Sequence, residues 1–376
     1  MGIERDRHIW VRLTRYAVRL VLVVTVSVGA AAWYASGQLL EIRRAATHYD
    51  VQILRLGRGT VTLQRTEKTA LKGIWGLEGD GGYAQVGRIV SVGRSQVTRE
   101  FRLLQGNFEV GQRVAVDPWA FPGDPAQAIG IPFSDVEVPS ELGQLPAWYV
   151  SGPRDTWVIF VHGRDASRRE ALRMLKPVVD LGFPSLVITY RNDLEAPRSP
   201  DALYHLGETE WKDADSAASY ALDHGAEHLV MVGFSMGGAI VSEFLHRSAH
   251  VSSVVGVVFD APVLDWGATV NLVGRDHGVP GPLMSLTKSI FSMRFEARWR
   301  ELNEMEGGAR LLEPVLLFHG TADTTVPVET SDALAAARPD LVTYVRVGGA
   351  GHVEAWNLAP ARYEPAVRGF LSRIAP

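Results

Sequence analysis

The chain has 376 residues, enough for two or three domains, and its 46% hydrophobic and 21% charged residues are typical of a globular protein, not of a disordered chain. A formal net charge of −4 with interspersed signs provides no basic surface, so we expect no nucleic-acid partner. The absence of cysteine excludes disulfides, thiolate nucleophiles, iron–sulfur clusters and cysteine-ligated zinc, although it does not fix the redox compartment.

The first predicted element along the chain is a membrane anchor. Residues 18–35 are almost wholly apolar and, at about 1.5 Å per residue, long enough to cross most of a bilayer core of about 30 Å. Five arginines lie between residues 5 and 19, whereas only Arg43 and Arg44 follow closely. The positive-inside rule therefore predicts a cytoplasmic N-terminus and a main body outside the membrane. We expect an uncleaved anchor within residues 1–40.

Two alternatives to this anchor stay open. Residues 20–28 could form the apolar part of a signal peptide, with Ala30-Ala31-Ala32 as its cleavage site, and the protein would then be secreted. A buried core helix is the other alternative, and the arginine-rich flank argues against it.

The next region, residues 41–130, is predicted to be a small β-rich domain. After a polar, helix-like stretch around residues 39–46, short β-type runs alternate with glycine turns, as in a small barrel or sandwich. The glycine-rich loop at residues 79–82 is interpreted as a hairpin connection, because no helix or lysine follows it as in a phosphate-binding loop. The Pro- and Gly-rich segment 117–132 is the predicted domain boundary. This region could space the protein from the membrane, shape a substrate entrance or bind a partner.

From residue 133 onward, strands and helices alternate, which predicts a mostly parallel sheet covered on both faces. The strand Trp157–Val161 leads into His162-Gly163-Arg164 at the edge of the sheet where ligands bind. We predict that the Arg164 backbone N–H stabilises an oxyanion and that His162 braces the loop. Ser167 and Glu170 are predicted to form a capping box for the next helix.

The sequence Gly233-Phe234-Ser235-Met236-Gly237 lies between a β-branched strand and a helix. A sharp strand-to-helix turn exposes the serine hydroxyl, and small residues at positions 233 and 237 let the two elements approach. Ser235 is therefore the predicted nucleophile, with the Met236 N–H at the helix start as the first oxyanion donor. The alternative is a chance glycine–serine pattern.

An insertion of roughly fifty residues, at about 264–312, interrupts the alternation. Within it, residues 282–299 present a broad apolar surface. This segment is predicted to be either an amphipathic helix packed on the body, which we favour, or a flap over an acyl-binding cleft.

Two residues after later strands complete a predicted triad with Ser235. Within residues 314–327 a buried strand is followed by a loop with Asp323, and within residues 342–356 the last strand is followed by a glycine-rich turn with His352. The chain order Ser235, Asp323, His352 is the one found for a triad whose serine lies in this kind of turn. Other acids at strand ends are less favoured, and His319 is the histidine that competes with His352. The less favoured acids are Asp193, Asp260 and Asp265.

The motifs GFSMG, FVHGR, HGTAD and GAGH together resemble the α/β-hydrolase superfamily, in particular its monoacylglycerol-lipase-like and serine-aminopeptidase-like serine hydrolases, over residues 133–376. The resemblance implies an α/β fold with an eight-stranded, mostly parallel sheet. It also implies Ser235 as nucleophile, Asp323 as acid and His352 as base, without a metal or organic cofactor. It does not extend to the anchor or to the β-rich region.

We therefore expect a membrane-anchored serine hydrolase that cleaves a small-molecule or lipid-like carboxylic ester through an acyl-enzyme. A peptidase or thioesterase of the same fold is the alternative within enzymes, and a non-catalytic binding protein is the alternative outside them. Metal-dependent hydrolysis fits poorly, because no HExxH-like ligand cluster is present in the sequence. The sequence names no protein partner.

Overall fold

A computed structural model of the chain describes residues 2–43, 47–304 and 311–375. The first element is helix α1 (Gly2–Gln38). Residues Arg15–Gln38 are apolar enough and long enough to cross a membrane, and only 6% of the most apolar window is buried, although a signal sequence would meet the same criteria. The predicted helix-like stretch at 39–46 is not helical in its described part, residues 39–43, and residues 44–46 lie outside the described ranges.

The polypeptide next forms a closed six-stranded barrel with strand order β1-β2-β5-β4-β3-β6. Closure pairs every strand on both sides and leaves no free edge. Apolar side chains such as Ile53, Trp75 and Leu77 fill its interior. Gly79 pairs with Gly82, so the glycine-rich loop is a two-residue hairpin. The strands are β1 (Val51–Gly57), β2 (Thr60–Gln64), β3 (Trp75–Gly79), β4 (Gly82–Val92), β5 (Gln96–Gly106) and β6 (Arg113–Asp117).

Residues 118–133 connect the barrel to the second sheet and include the short helix α2 (Pro125–Ile129), which Asp124 caps. This sheet has eight strands in the order β14-β13-β12-β11-β9-β10-β8-β7. The hairpin β7–β8 is antiparallel, as is the pair β8–β10, and all other neighbours are parallel. The strands are β7 (Ser134–Ser140), β8 (Gly143–Val150), β9 (Thr156–Val161), β10 (Ser185–Ile188), β11 (His228–Phe234), β12 (Val254–Asp260), β13 (Val315–Gly320) and β14 (Val342–Val347).

Helices cover both faces of this sheet, so central strands such as β9 and β13 are buried along their whole length. One face packs against α4 (Trp211–Asp223), α5 (Met236–Arg247) and α8 (Val328–Ala337). The other packs against α3 (Leu172–Val179), α9 (Ala355–Leu358) and α10 (Pro360–Ile374). The carboxyl ends of the parallel strands therefore meet at one edge of the sheet.

The insertion contains α6 (Trp266–Asp276) and α7 (Gly281–Phe295). Helix α7 packs along the end of α1. The Arg294 guanidinium donates to Trp33 O at 2.6 Å and Ser36 Oγ at 2.7 Å, and it stacks on the Trp33 ring at 4.1 Å. Most of the apolar segment predicted at 282–299 is thus a helix that contacts the end of α1, and residues 305–310 of the insertion lie outside the described ranges.

The buried side chain of Asn357 fastens the barrel to the α/β region. Its amide donates to Ile74 O at 2.8 Å and Pro118 O at 2.7 Å, while its oxygen accepts from Arg173 at 2.9 Å. The barrel ends at Asp117 and the second sheet begins at Ser134, close to the predicted boundary. The division into domains at residues 41–130 and 133–376 stays a prediction.

Candidate active site

Ser235 lies at a sharp turn between β11 and α5, with φ 51° and ψ −118°. Positive φ is strained for a residue with a side chain, and such strain concentrates at functional sites. The flanking glycines permit the turn, because a Cβ on Gly233 would lie 2.6 Å from Gly237 O, and a Cβ on Gly237 would lie 2.2 Å from Val161 O. The predicted glycines are therefore required by close backbone approach.

The structure brings Ser235, His352 and Asp323 into one hydrogen-bonded chain. Ser235 Oγ lies 2.8 Å from His352 Nε2, and His352 Nδ1 lies 2.7 Å from Asp323 Oδ2. The three residues follow β11, β14 and β13, whose carboxyl ends share one edge of the sheet. The order of strands, together with their parallel direction, explains why residues so distant in sequence meet.

Asp323 is held on both of its oxygens. The backbone N–H groups of Thr325 and Val326 each donate to Oδ1 at 2.8 Å, while Oδ2 faces His352 and, at 3.2 Å, Nε2 of His319. Burial alone would raise the pKa of this carboxyl, but the hydrogen bonds from His319 and His352 outweigh burial and hold the pKa well below its usual range. Asp323 is therefore an anion at neutral pH.

His319 is a second contact of the acid. It is fully buried on β13, where Nδ1 lies 2.7 Å from Ser331 Oγ and Nε2 faces Val326 O and Asp323. Its ring is thus engaged away from Ser235. The sequence offers two histidines for one role, and the structure places His352, not His319, beside the serine hydroxyl.

The pKa of His352 is shifted upward. Burial lowers the pKa of the imidazole, but the hydrogen bond and the negative charge of Asp323 outweigh burial, so the pKa lies above its ordinary value of 6.5. A hydrogen bond from Nδ1–H to the carboxylate leaves the unprotonated Nε2 facing Ser235. The arrangement can therefore accept the serine proton.

The loop at residues 163–166 lies beside Ser235. A Cβ on Gly163 would lie 3.0 Å from Ser235 Cβ, and the Gly163 N–H donates to the buried Glu170 Oε2 at 2.7 Å. The predicted capping box is therefore wrong: the Ser167 side chain makes no cap hydrogen bond, and the Glu170 carboxylate accepts from Gly163 instead of from Ser167.

The backbone N–H groups of Met236 and Arg164 are the two predicted oxyanion donors. Met236 is the first residue of α5, so its N–H has no acceptor within the helix. Arg164 lines the cavity that contains Ser235 and His352, while its side chain turns away to contact the end of α1. His162 bonds to Gly163 O at 2.9 Å and Asp193 at 2.8 Å, the position of a bracing residue.

The other acids at strand ends have structural partners. Asp193 bonds to His162, Asp265 caps α6, and Asp260 accepts from the Tyr363 hydroxyl at 2.9 Å. Burial raises the pKa of Asp260 to about 6. In the described ranges, moreover, no group of three or more His, Asp and Glu side chains could hold a metal ion.

The cavity around Ser235 and His352 measures about 210 Å³, and its lining includes Pro118 and Trp119, which follow the barrel. Those two residues, with Asp165 and Ala166, also line an adjoining cavity of about 830 Å³ between the barrel, the segment that follows α1 and the α/β region. No described residue of 282–299 lines either cavity. Trp119 is not among the predicted site residues, because the Pro- and Gly-rich residues around it indicate only a linker.

Comparison with known proteins identifies the fold of the larger region. Residues 52–117, the barrel, match the model of a domain of unknown function, DUF8805. The uncharacterized protein YfhR of Escherichia coli is 21% identical over 254 residues, which are 65% of this chain and 82% of YfhR.

The Pyrococcus furiosus esterase Pf2001 superposes in two crystal forms. The first has a TM-score of 0.54 and 22% identity, covering 68% of this chain and 96% of the esterase. The second has a TM-score of 0.52 and 21% identity, covering 68% and 97%. The region predicted to be an α/β-hydrolase fold, residues 133–376, has that fold, and this prediction is confirmed.

Proposed function

We propose that this protein is a membrane-anchored serine hydrolase that cleaves carboxylic esters through an acyl-enzyme. The observation that carries the proposal is the continuous chain from Ser235 Oγ to His352 (2.8 Å) and on to Asp323 (2.7 Å). The strained backbone at Ser235 and the anionic Asp323 support it. No metal or organic cofactor is required for this chemistry.

In the proposed reaction, Ser235 Oγ attacks the ester carbonyl while His352 Nε2 takes the hydroxyl proton. Asp323 holds the imidazole and stabilises the imidazolium. The tetrahedral oxyanion collapses, the C–O bond to the alcohol breaks, and His352 returns the proton to the leaving oxygen. Water then attacks the acyl-enzyme by the same proton transfers and releases the acid. The N–H groups of Met236 and Arg164 are the proposed oxyanion donors, at about 3 kcal/mol each.

The adjoining cavities support a substrate larger than a simple acetate. A volume of about 830 Å³ lies within the range of small-molecule sites, roughly 300–1,000 Å³. Its lining combines apolar side chains, such as Ile42, Leu194 and Tyr204, with charged ones, such as Arg43 and Lys68. An ester with an apolar acyl part and a polar part fits this mixture. The archaeal protein with the same fold is named an esterase, which also favours an ester.

Labelling with a fluorophosphonate probe tests the proposal in the full chain in detergent micelles. We expect Ser235 to be labelled, and Ser235→Ala to lose both labelling and ester turnover while its thermal unfolding stays close to that of the parent. An unlabelled, folded parent protein would instead favour the non-catalytic alternative. A panel of esters of graded acyl length and aminopeptidase substrates separates esterase from peptidase, and thioesters complete the panel.

For localisation, we propose that α1 crosses the membrane with its N-terminus in the cytoplasm. Its length, apolar composition and exposed surface support this assignment, and the arginines before residue 20 set the direction. Secretion after cleavage stays the alternative. The apparent mass of the protein distinguishes an uncleaved anchor from a cleaved signal peptide, because cleavage after Ala32 would remove the first 32 residues.

A further inference from the structure

The end of the anchor helix α1 contacts the loop that lies beside Ser235. Arg164 Nη2 donates to Gln38 O, the last carbonyl of α1, at 3.3 Å and to Glu41 O, three residues further on, at 2.7 Å. A cation is also favourable at a helix C-terminus. The same guanidinium lies 5.7 Å from the Tyr204 ring centre.

Two further hydrogen bonds hold the segment that leaves α1. The Arg43 N–H donates to Asp165 Oδ1 at 2.8 Å, and the Tyr204 N–H donates to Leu40 O at 2.9 Å. Leu40 itself is 3% exposed and belongs to the main apolar core of the α/β region. We call residues 38–43 the anchor exit. It is built into the body of the protein and is more than a flexible tether.

The loop at 163–166 is consequently held from two directions. Glu170 accepts from Gly163 on one side, and the anchor exit bonds to Arg164 and Asp165 on the other. The loop contacts Ser235 closely and lines its cavity. Displacing a catalytic donor by about 1 Å can cost on the order of 100-fold in rate.

We propose that the anchor exit is a positioning element of the active site. Through Arg164 and Asp165 it fixes the loop that supplies the second oxyanion donor, so α1 supports turnover in addition to tethering. This inference rests on the proposed serine-hydrolase function. Arg164 is here a positioning residue by its side chain, in addition to the role proposed for its backbone.

Arg164→Met in the full chain in detergent micelles tests the inference, because methionine keeps the backbone N–H and removes the side-chain donors. Arg154→Met is the matched control: Arg154 also donates to two carbonyls, of Leu181 and Ala375, and stacks on an aromatic ring, but it precedes β9 at the opposite edge of the sheet. For Arg164→Met we expect kcat to fall by about 10-fold or more with KM within about 2-fold, and fluorophosphonate labelling to slow by a similar factor. Arg164→Lys should recover part of the loss, since one ammonium can reach Glu41 O.

Leu40→Ala provides a second route, because it loosens the anchor exit without altering the loop. Both substitutions should lower kcat through the same loop. The fold-decrease in kcat of the double variant should therefore be clearly smaller than the product of the two single fold-decreases. The inference is overturned if Arg164→Met keeps kcat within about 2-fold, if Arg154→Met loses as much, or if the losses multiply. A parent protein that the probe does not label would instead overturn the proposed function, so the two failures are distinct.

Discussion

Replacing Asp323 by asparagine should separate the charge of this side chain from its hydrogen bonds. The N–H groups of Thr325 and Val326, each 2.8 Å from Oδ1, need an acceptor, so the asparagine oxygen should stay there. Its amide NH₂ then faces His352 Nδ1. The imidazole must accept at Nδ1 and carry its proton on Nε2, where it can no longer take the proton of Ser235. This wrong tautomer should lower kcat by about 10⁴-fold.

The same substitution should move the pH profile. In the parent protein the pKa of His352 lies above 6.5, and protonated His352 cannot act as a base, so activity should be lost as the pH falls through that pKa. Asp323→Asn removes the hydrogen bond and the charge that raise the pKa, while burial, which lowers it, remains. The midpoint of the acid limb should therefore shift to lower pH.

Steady-state hydrolysis of a fluorogenic short-chain ester by the full chain in micelles, from about pH 5 to 9, measures both effects. Asp332→Asn is a suitable control, because Asp332 bonds to Tyr344 and Arg346 in the same region but does not contact the triad. The reasoning is refuted if Asp323→Asn retains more than about a tenth of the parent kcat, or if its acid limb coincides with that of the parent.

Three further outcomes are expected, two for the packing and one for the orientation in the membrane. Asn357→Ala should destabilise the protein by about 3 kcal/mol, because the carbonyls of Ile74 and Pro118 lose their donor and Arg173 loses an acceptor, and the midpoint of thermal unfolding should fall by roughly 10 °C; an unchanged midpoint would contradict this role of Asn357. Gly237→Ala should abolish probe labelling, because its Cβ would meet Val161 O at 2.2 Å; normal labelling would show that the turn tolerates a side chain. Since the chain has no cysteine, Val110→Cys, at a side chain that is 62% exposed, should react with a membrane-impermeant thiol reagent on intact cells, and protection would reverse the proposed orientation.

Much of the site could be predicted because its signals are local. Ser235, Asp323 and His352 each follow an apolar strand, and parallel strands place their carboxyl ends at one edge whatever the loops between them do. Glycine at 237 is likewise a local requirement of the turn. Residue type, spacing and strand direction therefore suffice to bring these side chains together.

The partners of the surrounding loop could not be predicted in the same way. Glu170 fits a capping box by spacing, but the partner it contacts is Gly163, whose N–H is buried and needs an acceptor. Arg164 bonds to carbonyls more than a hundred positions away, and Trp119 lines the cavity from a segment whose composition indicates a linker. A buried donor or acceptor needs a hydrogen-bond partner. The tertiary packing determines which distant element provides that partner, and the local sequence does not contain this information.

The packing of α7 on α1 bears on how a shortened form of the protein would behave. Ala32 and Ser36 are buried, and Arg294 binds Trp33 and Ser36 across the same seam. A protein shortened for crystallisation to begin at residue 33 would lose part of the α1 surface that packs on α7. The apolar side chains of α7 that this surface covers would then be exposed, and we expect the shortened protein to self-associate. Trimming ahead of residue 29 would preserve these contacts and would remove most of the exposed apolar side chains of α1.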